Sequence, residues 1–171
     1  MDELRLRDET RLGKVLIRAT PATAVTAALG LPMGRAARDP AGTLVVGAGP
    51  GEWLLLGGPP ADAVARRLDA AAPDDLVTVV DFTSALALLR LTGSRSVATL
   101  AALCAVDLEA AATGSALRTD VAGVVTGVVR EGDASFLLWC DSSYGRYLAG
   151  AILDAGAEHG IEIEDAPVRR G

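Results

Sequence analysis

The stretch that most limits what this chain can fold into is 77–108, VTVVDFTSALALLRLTGSRSVATLAALCAVDL, because each of its segments has a structural cause. Val77, Val79 and Val80 form a short β-branched run, which favours an extended strand. Asp81, Phe82 and Thr83 interrupt it with polar atoms able to bond nearby amides and turn the chain. Residues 84–91 are then apolar on both faces, with Leu86 and Leu88 on one side and Ala85, Ala87, Leu89 and Leu91 on the other. That pattern predicts a strand inside a covered sheet. Composition alone suits a helix equally well, but Thr92-Gly93 stops the run after about eight residues, a strand's length. Ser94 is the expected N-cap of a following helix. Val97, Leu100, Ala101 and Cys104 recur there at i, i+3, i+4 and i+7 and predict one buried face.

Around this unit the chain reads as alternating strands and helices. Before it come a strand at 14–18 and a helix capped by Thr20, with Pro21 in its first turn and Leu29-Gly30 at its end. A polar loop at 33–42 leads to strands at 43–47 and 52–57. Pro59-Pro60 then opens a helix whose apolar face is Ala61, Val64, Ala65, Leu68 and Ala72. With the strand at 77–81 the order is βαββαβ, the ferredoxin-like arrangement. From Ser84 the scheme repeats: strand, the Ser94 helix, a strand at 115–121, and a hairpin of 123–130 and 134–140 turning at 131–133. A helix from Ser143 and a short strand at 161–163 complete it. In that last helix Tyr144, Tyr147, Leu148, Ala151 and Ile152 are predicted to form the buried stripe. The expected fold class is therefore α+β, a single domain at 14–163 built of two ferredoxin-like βαββαβ halves at about 14–82 and 84–163. A flexible N-terminal lead at 1–13 and a frayed tail at 164–171 flank it.

Several function classes are disfavoured. The net charge of −6 argues against a phosphate-binding surface, and the fifteen arginines are scattered, so nucleic acid is not an expected partner. No stretch reaches the ~18 apolar residues of a membrane span, and the N-terminal segment lacks a signal peptide's apolar centre, so the expected location is cytoplasmic. Cys104 and Cys140 read as buried free thiols. His159, the single histidine, cannot supply a multi-histidine metal site and reads as a solvated residue in the last helical turn. Val45-Val46-Gly47-Ala48-Gly49-Pro50-Gly51 looks like the start of a dinucleotide-binding loop. That chemistry needs glycines leading into a helix, whereas here Glu52 and the short Trp53-Leu54-Leu55-Leu56-Gly57 run follow, predicting a hairpin.

Three residues remain as candidates for an interface or cleft. Asp81 ends a strand that reads as central, where it either bonds turn amides or faces a cleft. Trp53 is a core residue or an interface anchor. Tyr144 sits at a helix start with its hydroxyl near the rim. Arg118, Arg130 and Arg146 are available to pair with acidic groups of another chain. No catalytic, cofactor-binding or metal-binding residue is assigned.

Three stretches carry a family resemblance. The run Val80-Asp81, Leu88, Arg90-Leu91-Thr92-Gly93 and Val106-Asp107-Leu108 resembles the gamma subunit of heterotetrameric sarcosine oxidase. More distantly, it resembles the folate-binding domain of the glycine-cleavage aminomethyltransferase. Ala48-Gly49-Pro50-Gly51-Glu52-Trp53-Leu54-Leu55 and Ser143-Tyr144-Gly145-Arg146-Tyr147-Leu148 match in the same order, although Ser94 stands where the family usually has Pro and Gly51 where it has an acid. The resemblance implies a non-catalytic subunit of an oxidoreductase complex that demethylates sarcosine oxidatively and passes a one-carbon unit to tetrahydrofolate. It implies FAD, FMN, NAD and tetrahydrofolate in larger alpha and beta flavoprotein subunits, zinc in a small delta subunit, and no cofactor in this chain. The alternatives are a free-standing folate-binding or aminomethyl-transferring domain with Asp81 as its acid or base, and a self-associating structural domain.

Overall fold

A computed structural model describes residues 3–20 and 24–164. In chain order the elements are β1 (Arg5–Asp8), β2 (Lys14–Ala19), α1 (Ala24–Leu29), β3 (Ala36–Arg38), β4 (Leu44–Gly49), β5 (Glu52–Leu56), α2 (Ala61–Ala71) and β6 (Val77–Asp81). They continue as β7 (Leu86–Thr92), α3 (Ser96–Ala101), β8 (Ala116–Val121), β9 (Val124–Gly132), β10 (Ser135–Asp141), α4 (Gly145–Gly156) and β11 (Glu162–Glu164). The strands form a five-stranded sheet of order β3-β4-β5-β2-β6 and a six-stranded sheet of order β11-β1-β7-β10-β9-β8. The chain divides accordingly into two compact units, Leu12–Ser84 and Met1–Arg11 with Ala85–Gly171.

In the first unit β4-β5-β2-β6 is the ferredoxin-like strand order, and β3 extends it where the sequence predicted only a loop. The predicted helix start at Pro21 lies outside the described residues. Residues 47–51 form the predicted hairpin: β4 pairs antiparallel with β5 across a bulge between Gly47 and Gly49, and Gly51 takes the left-handed conformation at φ 68°. Gly47 also has to be glycine because a Cβ there would meet the Pro32 carbonyl oxygen at 2.2 Å. Helix α2 opens at Pro60, carries Asp62 in its first turn, and turns Val64 and Leu68 onto the sheet. These join Val15, Ile17, Val25, Trp53 and Leu55 in one core.

The second unit keeps the ferredoxin-like centre, β7 flanked by β10 and then β9, but fills the fourth position differently. Beside β7 lies β1, antiparallel, with Leu6 opposite Leu91. The chain's last strand, β11, pairs parallel to β1 on its far side, with Leu6 opposite Ile163. The N-terminal lead is thus corrected: Leu4 and Leu6 are 2% and 4% exposed and belong to the core of Leu89, Leu91, Leu100, Phe136, Leu138, Leu148 and Ile152. The alternation Leu4-Arg5-Leu6-Arg7 is a strand period, and it becomes stable only once its apolar face has a cover. Gly93, at φ 121°, lets the chain entering β1 come close; a Cβ there would lie 2.4 Å from the Glu3 carbonyl oxygen. Of the predicted frayed tail, Glu164 ends β11, and 165–171 lie outside the described residues.

Helix α3 also differs from its prediction. It starts at Ser96 with Arg95 in the capping position, and buries Ser96, Thr99 and Leu100, while Ala101 is exposed. The Thr99 hydroxyl donates to the Arg95 carbonyl at 2.9 Å, which satisfies it inside the helix and permits a polar residue at a core position. In α4, Leu148, Ile152 and Gly156 form the buried stripe at i, i+4 and i+8. Gly145 sits so close to β7 that a Cβ would meet that of Ala87 at 2.5 Å.

Candidate functional site

Asp81 closes β6 on the surface, and its carboxylate accepts the Thr83 amide at 2.8 Å. Its pKa is held below the usual carboxylate range by the Thr83 hydroxyl first, then the Thr83 amide, with a smaller contribution from the Lys14 charge. A group held ionised in this way is a turn acceptor, the opposite of a general acid. Lys14 itself is fully buried at the start of β2. Its ammonium donates to the Leu12 and Thr83 carbonyls, each at 3.0 Å, and the Thr83 hydroxyl receives the Lys14 amide at 3.1 Å. The only lysine of the chain therefore clasps the strand entry to the turn after β6, and its engaged, buried amine is no Schiff-base nucleophile. The sequence shows one lysine among fifteen arginines, but the clasp it forms depends on partners that the sequence does not reveal.

Trp53 lies in the first unit's core at 3% exposure, and its indole N–H donates to the Leu31 carbonyl at 2.9 Å. That fixes it as packing and removes it from the exposed surface. Tyr144 and Tyr147 are corrected the other way: both belong to the predicted buried stripe, yet they are 53% and 58% exposed. Tyr147 lies one residue off the phase set by Leu148 and Ile152, and Tyr144, although four residues before Leu148, belongs to the 3-10 turn at Ser142–Tyr144 that precedes α4. The Tyr147 hydroxyl donates to the Ala122 carbonyl at 2.9 Å, joining α4 to the β8–β9 turn. Arg118 and Arg146 are exposed, whereas Arg130 is committed within its own unit. Its guanidinium donates to the Leu108, Glu109 and Ala111 carbonyls at 3.1, 2.8 and 2.6 Å and stands 5.8 Å over the Phe136 ring. It organises the long connection between α3 and β8.

The second unit's sheet carries a ladder of charges on one face. Arg90 makes two 2.9 Å bonds to Glu9 and also pairs with Glu131, and Arg7 pairs with Glu164 and Glu9. Every member is matched by an opposite charge, so the ladder is a structural network. A groove of about 340 Å³ runs beside α4, lined by Leu6, Ala87, Leu89, Ala149 and Leu153, with Arg146 at its rim. Another of similar size holds Glu3, Arg95, Glu158 and His159. Cys140 is buried, as expected, and desolvation first, then Asp141, raises its thiol pKa; Cys104 is partly exposed instead. Among the described residues no three His, Cys, Asp or Glu side chains are grouped as a metal site would require, and no helix is long and apolar enough to cross a membrane.

One sheet of ferredoxin-like order and a second that keeps its centre make up the α+β fold expected from the sequence. The family model described as the GCVT N-terminal domain matches residues 48–164, and the chain belongs to that family. Among solved structures it is similar to heterotetrameric sarcosine oxidase from Corynebacterium sp. U-96, with a TM-score of 0.80 and 26% identity over 91% of this chain and 85% of that one. It is also similar in fold to glycine cleavage system aminomethyltransferase T from Bartonella henselae, with a TM-score of 0.67 and 18% identity over 94% of this chain and 47% of that one. No curated protein sequence matches it.

Proposed function

We propose that this chain is a non-catalytic, gamma-type subunit of a heteromeric flavoprotein complex of the sarcosine oxidase kind, working in the cytoplasm. The observation that carries this reading is its likeness, over most of both chains, to a chain of a heterotetrameric sarcosine oxidase. The chemistry of the described residues supports a bracing role. Asp81 is occupied as a turn acceptor, Lys14 is buried and engaged, and the Cys140 thiol is desolvated. The segment 47–51 forms a hairpin, so it lacks the helix N-terminus that would hold a pyrophosphate. In this reading FAD, FMN, NAD and tetrahydrofolate are bound by larger alpha and beta chains and zinc by a small delta chain. In this reading the assembly oxidises sarcosine with dioxygen, giving glycine and hydrogen peroxide and passing the methyl carbon, as a one-carbon unit, to tetrahydrofolate.

The test is co-expression with sarcosine-oxidase-type alpha, beta and delta chains, followed by size exclusion read at protein and flavin wavelengths. Co-elution in a flavin-bearing complex that oxidises sarcosine is the expected result. Membership of the GCVT N-terminal family favours a second reading, a free-standing folate-binding domain. Saturable one-to-one binding of a reduced folate by the isolated chain would favour that one instead, and a stable homodimer that ignores the flavoprotein chains would defeat the subunit reading.

A further inference from the structure

Strand β6 ends the five-stranded sheet, with β2 as its neighbour. The register sets Leu16 opposite Val80 and Arg18 opposite Thr78. The Phe82 amide donates to the Lys14 carbonyl at 2.8 Å, which fixes the hydrogen-bonding phase. In an antiparallel ladder these bonds alternate by residue, so Thr78 and Val80 bond inward to β2, while Val77, Val79 and Asp81 aim their N–H and C=O groups outward.

The side chains make this edge unlike the three other sheet ends. Strand β8 carries Arg118 and Asp120, β11 carries Glu162 and Glu164, and β3 is three residues long with Arg38. These are the usual devices that discourage pairing with another chain. Strand β6 has none of them along Leu76-Val77-Thr78-Val79-Val80. Val77 and Val79 pack toward the core under α2. On the other face Thr78 is exposed and Val80 is 40% exposed, with Leu76, 80% exposed, leading in. An unguarded, β-branched edge fits one kind of occupant, an extended segment that adds as a further strand.

Charge decides whose segment it is. Asp74 and Asp75 precede the edge and Asp81 closes it. Two copies related by a two-fold axis must pair antiparallel. Centred on Val79, that pairing brings Asp81 of one copy opposite Val77 of the other, next to its Asp75, and like charges gather at both ends.

We propose that β6 is a docking edge that accepts, by strand addition, an apolar segment of a flavoprotein partner chain with Lys or Arg near both ends. This rests on the subunit reading above and names its contact surface.

The test uses the full chain co-expressed with the flavoprotein chains. Val79→Pro removes an outward amide that the β2 ladder does not use, and proline is tolerated at such edge positions. Val80→Lys places a cation on the exposed face against a basic partner and keeps the assay valid should the proline variant fail to fold. Each folded variant is expected to lower co-purification at least about tenfold; Val80→Lys, on the exposed face, is expected to retain its thermal midpoint, whereas Val79→Pro also loses packing under α2 and melts lower. Amide exchange at Val77, Val79 and Asp81 is expected to slow at least about tenfold on assembly, because those hydrogens enter a ladder. Unchanged assembly by Val80→Lys, or equally fast exchange of those amides in complex and free chain, overturns the docking edge and leaves the subunit reading intact. Failure of the wild-type chain to assemble overturns the subunit reading and this partner with it. Slowing of the same amides in the isolated chain as its concentration rises assigns the edge to a second copy and also overturns the proposal.

Discussion

Replacing Leu6 by alanine measures whether the N-terminal strand is part of the second unit's core. Leu6 is 4% exposed, opposes Leu91 on one side and Ile163 on the other, and packs within the cluster of Leu89, Leu100, Phe136 and Leu148. Truncation removes three buried carbons between strands whose ladders hold them apart, so little collapse is available. Leucine-to-alanine changes at such sites cost about 2–5 kcal/mol, and about 3 kcal/mol is expected here. A domain of this size loses roughly 2–4 °C per kcal/mol, giving a fall of roughly 6–12 °C in Tm. Arg5→Ala on the same strand is the control. Its side chain is 46% exposed and pairs with Glu3, so a change within about 0.5 kcal/mol is expected. Urea denaturation followed by tryptophan emission reads both, since Trp139 lies in the same sheet as β1. If Leu6→Ala costs no more than the Arg5 control, the N-terminal strand is not integral and the assignment of β1 to the sheet's interior is wrong.

Gly127 opposes Trp139 across the β9–β10 ladder, and a Cβ there would reach 2.0 Å from the indole ring; Gly127→Ala is expected to cost about 1–3 kcal/mol by overpacking and to shift tryptophan emission as the ring is displaced. Arg130→Met removes the donor shared by the Leu108, Glu109 and Ala111 carbonyls. It is expected to cost about 1–3 kcal/mol and to speed amide exchange across 103–115 before the rest of the unit. Acid sensitivity follows from carboxylates whose folded pKa values are depressed: Asp81 by Thr83, Asp141 by Ser143 and Glu164 by Arg7. Because the unfolded forms bind protons first, this stability is present above about pH 4 and is lost as pH falls through the lower folded values. Asp141→Asn is expected to flatten the stability profile in that acid window, measured by urea midpoints from pH 2.5 to 7, and to leave the slope above about pH 5 unchanged.

Local chemistry by itself determined most of the elements. The β-branched run at 77–80, the stop at Thr92-Gly93 and the glycine-rich turn at 48–51 each act over a few residues, and the structure has strands and turns at those places. Asp81 as a turn acceptor is equally local, since its partner is two residues away. What the tertiary structure decided concerns residues whose partners are distant. Leu4-Arg5-Leu6-Arg7 alternates like a strand, but only β7, some eighty residues later, supplies the cover that makes it one. Tyr144 and Tyr147 read as part of a core stripe, yet Leu148 and Ile152 took the buried phase: Tyr144 lies in the 3-10 turn before α4, and Tyr147 sends its hydroxyl to the Ala122 carbonyl at the surface. Lys14 and Arg130 look like surface cations in sequence, and their partners are backbone carbonyls, which every residue carries and no residue type announces. The candidate docking edge is likewise invisible along the chain: the run at 76–80 reads as an interior strand, and only the sheet order, which ends there among the described residues, turns half of its amides and carbonyls away from β2.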